Sequence, residues 1–368
     1  MKIAFLLNLL CIPVLGTAQL QAIFQNKIDS IFEKNKNAIG IIVHVESPKK
    51  NISWSYAKGV TNIKTDELLN NQQPVLIASN TKPYVAAALL RLVENNEISI
   101  EQPIKKLLSK KTRKLFQKAG YGLNTITVKH LLSHTSGIQD YVNDDYFEFV
   151  NQHPLHEWKK EEQIKRTIDI GNPEKAGEKF SYGDINYLLL TEIIEQKTKQ
   201  PFYTAIRDLL KYKELGLSKT WFINLEEYPE NTLPLAHQYT DKYNLDSYDI
   251  NPSWDLYGGG GIASTAKESA LFFQYLFDGK IIKNKNILEA MYSYVLPLEQ
   301  SKYCLGIYHF NLGFNAYYHG GWWGTDVIYS PETDATVTVF TLQKSFQHII
   351  NPFIGKEFQN LLMNKSNL

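Results

Sequence analysis

Ser79-Asn80-Thr81-Lys82 is the arrangement in this chain whose residue types and spacing could do covalent chemistry. Residues three apart share one face of a helix, so the Lys82 amine can sit beside the Ser79 hydroxyl. A serine hydroxyl needs an adjacent base to become an effective nucleophile. A lysine can be that base only if its pKa falls from about 10.4 toward neutrality, and burial against apolar surface pushes it that way. The run Val85 to Leu90, with Leu92 and Val93, offers such a surface, apolar nearly all round. Backbone N–H groups at the start of that helix would face an oxyanion forming near Ser79. Alone, Ser-x-x-Lys is a weak signal, because it recurs by chance in chains of this length.

Other arrangements carry less. His130 and His134 are four apart, but Leu131 stands where a zinc protease needs glutamate, so a helix-capping and packing role is expected. His153 and His156 flank Pro154 without a third ligand nearby. Gly258 to Gly261 has no following Lys-Ser or Lys-Thr, which argues against a phosphate loop. There is no Gly-x-Ser-x-Gly, so the α/β-hydrolase elbow is not supported. No metal and no organic cofactor is expected.

Context raises the value of the Ser79 element. Five segments follow one another: Ile77 to Lys82, Ile126 to Ile138 (which holds His134-Thr135-Ser136-Gly137), Phe180-Ser181-Tyr182-Gly183-Asp184 with the apolar run to Leu190, Gly259 to Thr265, and His319-Gly320-Gly321. Together, in this order, they closely resemble the β-lactamase-related serine hydrolases, which include class C β-lactamases, D-alanyl-D-alanine carboxypeptidases and related esterases. The resemblance runs from about residue 25 to 345. It implies Ser79 as nucleophile, Lys82 as its proton partner, and Tyr182 as the tyrosine of the family's Tyr-x-Asn element, which shuttles protons. It places His319, Gly320 and Gly321 on a strand lining the cleft, where glycines let a substrate approach the backbone. It also implies an oxyanion hole built from the Ser79 and Trp322 N–H groups.

The chain departs from the family at two of these positions. Asp184 replaces the asparagine; an ionised carboxylate only accepts hydrogen bonds, and beside Lys82 it would make the amine a worse base. Tyr182 would then carry more of the proton abstraction, with its own pKa lowered by the lysine charge. His319 replaces a permanent cation and is mostly neutral at pH 7 unless a neighbour such as Asp184 holds its proton. Recognition of a substrate carboxylate should weaken accordingly, which turns the expectation from β-lactams toward uncharged amides, esters and peptides. The leading expectation is an acyl-enzyme hydrolase of a D-amino-acid peptide, a peptidoglycan-type fragment or a small ester. The alternative is a catalytically weak sensor of the same fold that binds a peptide or acyl group.

The elements that must position these residues follow from pattern. Residues 21 to 35 read as an amphipathic helix, and Gly40 to Val45 and Ile52 to Val60 as strands. Tyr187 to Lys197 and Ser264 to Phe277 read as helices. Cys304 to Asn311, Trp322 to Tyr329 and Ala335 to Leu342 read as strands, and a closing helix covers about 349 to 363. The expected fold is a two-lobed α+β β-lactamase/transpeptidase-like domain. An antiparallel sheet drawn from both termini (residues 19–83 and 255–368) is flanked by helices, with a mostly helical lobe (84–254) inserted.

The chain has 368 residues, 43% hydrophobic and 21% charged, with a formal net charge of +1, so nothing suggests a polyanionic partner such as nucleic acid. Met1-Lys2, the apolar run Ile3 to Leu15 and the small Gly16-Thr17-Ala18 read as a signal peptide over residues 1–18. The expectation is an exported, periplasmic or extracellular protein with no stable membrane insertion once the signal is cleaved. Its partner would be a small-molecule or peptide substrate. Cys11 would leave with the signal, and Cys304 would remain as a buried structural thiol.

Overall fold

The computed structural model describes residues 16–363. Ile3 to Leu15, and Cys11 with them, lie outside the described residues. Strands in chain order are β1 Gly40–Ser47, β2 Ile52–Gly59, β3 Val75–Leu76, β4 Thr220–Phe222, β5 Tyr239–Thr240, β6 Leu245–Asp246, β7 Ile262–Ser264, β8 Tyr308–Asn311, β9 Asn315–Gly321, β10 Thr325–Ser330 and β11 Ala335–Thr341.

A six-stranded antiparallel sheet has the order β2-β1-β11-β10-β9-β8, so its first and last strands in sequence meet at β1 and β11. Val43 faces Val339 across that seam, and Gly321 pairs with Thr325 at the end nearer the site. The strands alternate. Ile41, Val43, Val45, Val337 and Val339 pack under two helices, Thr17–Lys34 and Lys344–Met363, through Phe24, Ile28, Ile350, Ile354 and Phe358. Ile42, Val327 and Phe340 point to the opposite core, which the helix Ala266–Phe277 and the helical lobe cover. The fold is therefore the α+β two-lobed architecture expected. Sheet strands come from both ends of the chain, and most of the helices lie between β3 and β7.

A small sheet, β3-β7-β4, brings residue 75 alongside residue 264 and so delivers the chain to Ser79. The following helix, Lys82–Glu94, is buried at every position from Lys82 to Leu90, with Pro83 in its first turn where the absent N–H does little harm. Each of its buried leucines contributes roughly 1.5–3 kcal/mol of burial.

The structure departs from the pattern reading at several places: the strand read from Trp322 starts at Thr325, after a turn, and the closing helix starts at Lys344. Cys304 to Ile307 is not strand: Gly306 has φ of 84° and Cys304 N–H turns back to the Ile307 carbonyl. β9 has no counterpart in the pattern reading, because Tyr317, Tyr318 and His319 give no clean alternation of apolar and polar.

Candidate active site

Ser79 sits in a 3₁₀ turn, Ala78–Thr81, rather than in the α-helix itself. Residues i and i+3 eclipse in such a turn, which sets Lys82 directly over Ser79. The turn is fixed from several sides. Ile77 N–H donates to the Ile262 carbonyl, Asn80 Nδ2 donates to Thr325 O at 3.0 Å, and Thr325 Oγ1 donates to Ile77 O at 2.9 Å. Ala78, immediately before the serine, has φ of 47°, a left-handed conformation that costs an L-residue about 1–2 kcal/mol. The packed surroundings hold it there.

The Lys82 Nζ is fully buried and meets three acceptors: Ser79 Oγ at 2.9 Å, Gly259 O at 2.6 Å and Asp184 Oδ1 at 2.6 Å. The contacts to Ser79 and Gly259 are hydrogen bonds, and Asp184 faces the amine as an ion pair. The glycines at 259 and 260 are required here. A Cβ on Gly259 would lie 2.6 Å from Asp184 Cγ, and one on Gly260 would lie 2.0 Å from Asp255 Oδ2. At the other wall, a Cβ on Gly321 would lie 2.1 Å from Ile77 O. The end of β9, and Trp322 after it, thus abut the turn that carries Ser79.

Tyr182 joins them. Its phenol is hydrogen-bonded to Ser79, and its ring centre lies 4.8 Å from Lys82 Nζ. The expectation of a lowered phenol pKa is corrected. Burial first, and the Asp184 charge second, push Tyr182 well above the usual tyrosine range; the hydrogen bond with Ser79 opposes them. The resting tyrosine is a neutral phenol.

His319 is neutral, as expected of it without a carboxylate partner. Its Nδ1 lies 2.9 Å from Gly320 O and its Nε2 3.2 Å from Tyr303 Oη, so Asp184 does not hold its proton. A carbonyl only accepts, which puts the hydrogen on Nδ1 and makes Nε2 the acceptor of the Tyr303 hydroxyl. Burial, then the Lys82 charge, lower His319 to about 3. It is neutral at physiological pH.

The structure thus brings Ser79, Lys82, Tyr182 and Asp184 into one cluster, with Gly321 against the Ser79 turn and His319 on the same strand, within range of the Lys82 charge. Trp322 is half-buried and packs on Phe147, ring centres 5.7 Å apart, and edge-on to Trp254 at 5.2 Å, giving an aromatic wall.

Several residues at the site had no signal in the motifs. Asp140 and Asp255 bring two further carboxylates toward Lys82 and Asp184; burial and the Asp184 charge raise both. Tyr303 lies in a run that reads as plain strand. His134 parts from His130. The latter completes a cap, its Nδ1 accepting from Thr127 N–H, while His134 stacks on Tyr182 with ring centres 4.2 Å apart and its Nδ1 accepts from Gly183 N–H at 3.2 Å. Cys304 is buried, its thiol pushed up to about 12 by desolvation. Among the described residues, no three His, Cys, Asp or Glu side chains gather as a metal site, and no helix is long and apolar enough to cross a membrane.

The Beta-lactamase family model matches residues 28–348. The chain belongs to the Beta-lactamase family, whose members are serine hydrolases. Esterase EstB of Burkholderia gladioli is 24% identical over 209 residues, which is 54% of this chain and 52% of that protein. The chain spans about half the length of the curated relatives it matches. Among solved structures, the D-amino acid amidase of Ochrobactrum anthropi SV3 superposes with a TM-score of 0.74 at 19% identity, covering 92% of this chain and 98% of that one. The octameric penicillin-binding protein homologue of Pyrococcus abyssi gives a TM-score of 0.76 at 23% identity, covering 94% and 78%. Both likenesses concern the fold.

Proposed function

We propose that this protein is an exported serine hydrolase that cleaves uncharged amides or esters through an acyl-enzyme on Ser79. D-amino-acid peptides or amides are the lead substrate class, with small esters next. The observation that carries this is the Ser79 hydroxyl held between the Lys82 amine, at 2.9 Å, and the Tyr182 phenol. In this reading Ser79 Oγ attacks the carbonyl carbon. Its proton passes through the Tyr182–Lys82 pair to the departing nitrogen or oxygen, and water then hydrolyses the acyl-enzyme. The oxyanion rests on the Ser79 and Trp322 N–H groups.

The preference for uncharged substrates follows from charge. Lys82 donates to Ser79 and Gly259 and has its charge paired by Asp184, and His319 is neutral, so neither offers a free cation to a substrate carboxylate. A fold shared with a D-amino acid amidase supports the substrate class. Export rests on Met1 to Ala18, and N-terminal sequencing of secreted protein tests it. A fluorophosphonate probe should label the wild type and miss Ser79→Ala; equal labelling of both would remove Ser79 from its role.

A second reading has one observation in its favour. Asp184 pairs with Lys82 where the family has a neutral asparagine, which suits a protein that takes up an acyl group without releasing it. Steady-state turnover of p-nitrophenyl esters or D-amino-acid amides excludes it, whereas a single burst would support it.

A further inference from the structure

The segment after Gly137 reaches back under the loop that carries Tyr182 and Asp184. Asp140 Oδ1 accepts from Ile185 N–H at 3.1 Å, and the same carboxylate accepts from Asp184 N–H. These are orphan donors at the start of the fifteen-residue helix Asp184–Thr198, whose positive end favours a carboxylate there. Gly183 makes the approach possible, since a Cβ there would lie 3.1 Å from Asp140 Cβ. Six residues earlier, His134 ties the same loop through its carbonyl to Ser181 N–H and through Nδ1 to Gly183 N–H. Residues 181 to 185 are therefore clamped at three successive points, and Asp140 holds the point from which the Asp184 side chain reaches Lys82.

We propose that Asp140 is a positioning residue: its carboxylate fixes the first turn of the helix at Asp184, so that Asp184 meets Lys82, and its charge sets the pH range in which Ser79 is acylated. The inference rests on Ser79 being the nucleophile, as above.

Burial first, and the Asp184 charge second, push Asp140 up to about 7; the Ile185 and Asp184 N–H groups and Lys82 pull the other way. The groups facing it are Asp184 on its helix, Lys82 across the cleft, Asp255 on the 3₁₀ turn Pro252–Asp255, and the buried Tyr141 beside it. Raising the pH through 7 therefore adds a negative charge next to the Lys82–Asp184 pair. A negative charge there opposes removal of the Ser79 proton. Activity should then climb later with pH than it would beside a neutral residue.

Asp140→Asn separates the two roles, because an amide oxygen still accepts from both N–H groups but carries no charge. Acylation by a fluorophosphonate is followed against pH in wild type, Asp140→Asn and Asp140→Ala, with thermal melting of each. The asparagine variant should melt like wild type while its acid limb moves to lower pH by about 0.5–1 unit. The alanine variant loses the acceptor, and its acylation rate should fall about tenfold or more at every pH, as misplacement of a catalytic group does. An asparagine profile that superimposes on wild type, or an alanine variant that acylates at the wild-type rate, overturns the proposal while leaving Ser79 in place. Wild-type protein that takes no label at Ser79 overturns the hydrolase reading and this inference with it.

Discussion

His319→Gln should change how the stability of the protein depends on pH. Folded His319 stays neutral down to about 3, because its ring is 1% exposed and feels the Lys82 charge. In the unfolded chain the same ring binds a proton near its ordinary value of about 6.5. The folded-state value is depressed, so the contribution of this histidine to stability is complete above about pH 6.5. It is lost as the pH falls from there toward 3, where the unfolded state gains a proton that the folded state refuses. Each pH unit in that window is worth about 1.4 kcal/mol, so descending from pH 6.5 to 4 removes about 3 kcal/mol. That is a large part of a typical stability of about 5–15 kcal/mol.

Glutamine does not titrate, yet its amide can donate to Gly320 O and accept from Tyr303. Urea unfolding at pH 7 and pH 4 gives the loss for each protein, and the wild type should lose about 3 kcal/mol more than the variant. His44, also lowered by burial, and Asp140 and Asp326, raised by burial in the opposite sense, titrate in both proteins and cancel in the difference, while His134, lowered first by burial and then by Lys82, feels His319 only as a lesser cause. Equal losses in the two proteins would refute the reasoning. The neutral ring has a functional counterpart: KM for a carboxylate-bearing substrate should not improve between pH 7.5 and 5.5.

Tyr182→Phe removes the phenol hydrogen-bonded to Ser79 while keeping the ring stacked on His134; kcat for ester hydrolysis should fall about 10²–10⁴-fold with KM little changed, and a kcat within twofold of wild type would exclude Tyr182 from proton transfer. Gly321→Ala places a Cβ 2.1 Å from Ile77 O and 2.3 Å from Thr325 Oγ1, so β9 must retreat from the serine turn; the variant should melt lower and acylate more slowly, and wild-type values of both would show that the approach is not needed.

The chain order of its motifs determined much of this protein. Ser79 and Lys82 are three residues apart, so one local turn suffices to join them, and an apolar run declares that the following helix is buried. Apolar alternation likewise marks β2 and β11, and a near-continuous apolar run marks β1. The charge state of the site was not legible, because it depends on groups distant in sequence. Lys82 donates to a carbonyl 177 residues away, and His319 is held neutral by burial and by the Lys82 charge. Tyr182 shows why the sign itself can invert. A lysine beside a phenol lowers its pKa, but desolvation and a nearby carboxylate act in the opposite direction and prevail once the ring is packed away. Asp140 carries no motif at all, since what singles it out is a helix terminus that only the folded chain brings to it. Spacing fixes which groups can meet along a turn, whereas burial and long-range neighbours fix their protons, and those exist only in the tertiary structure.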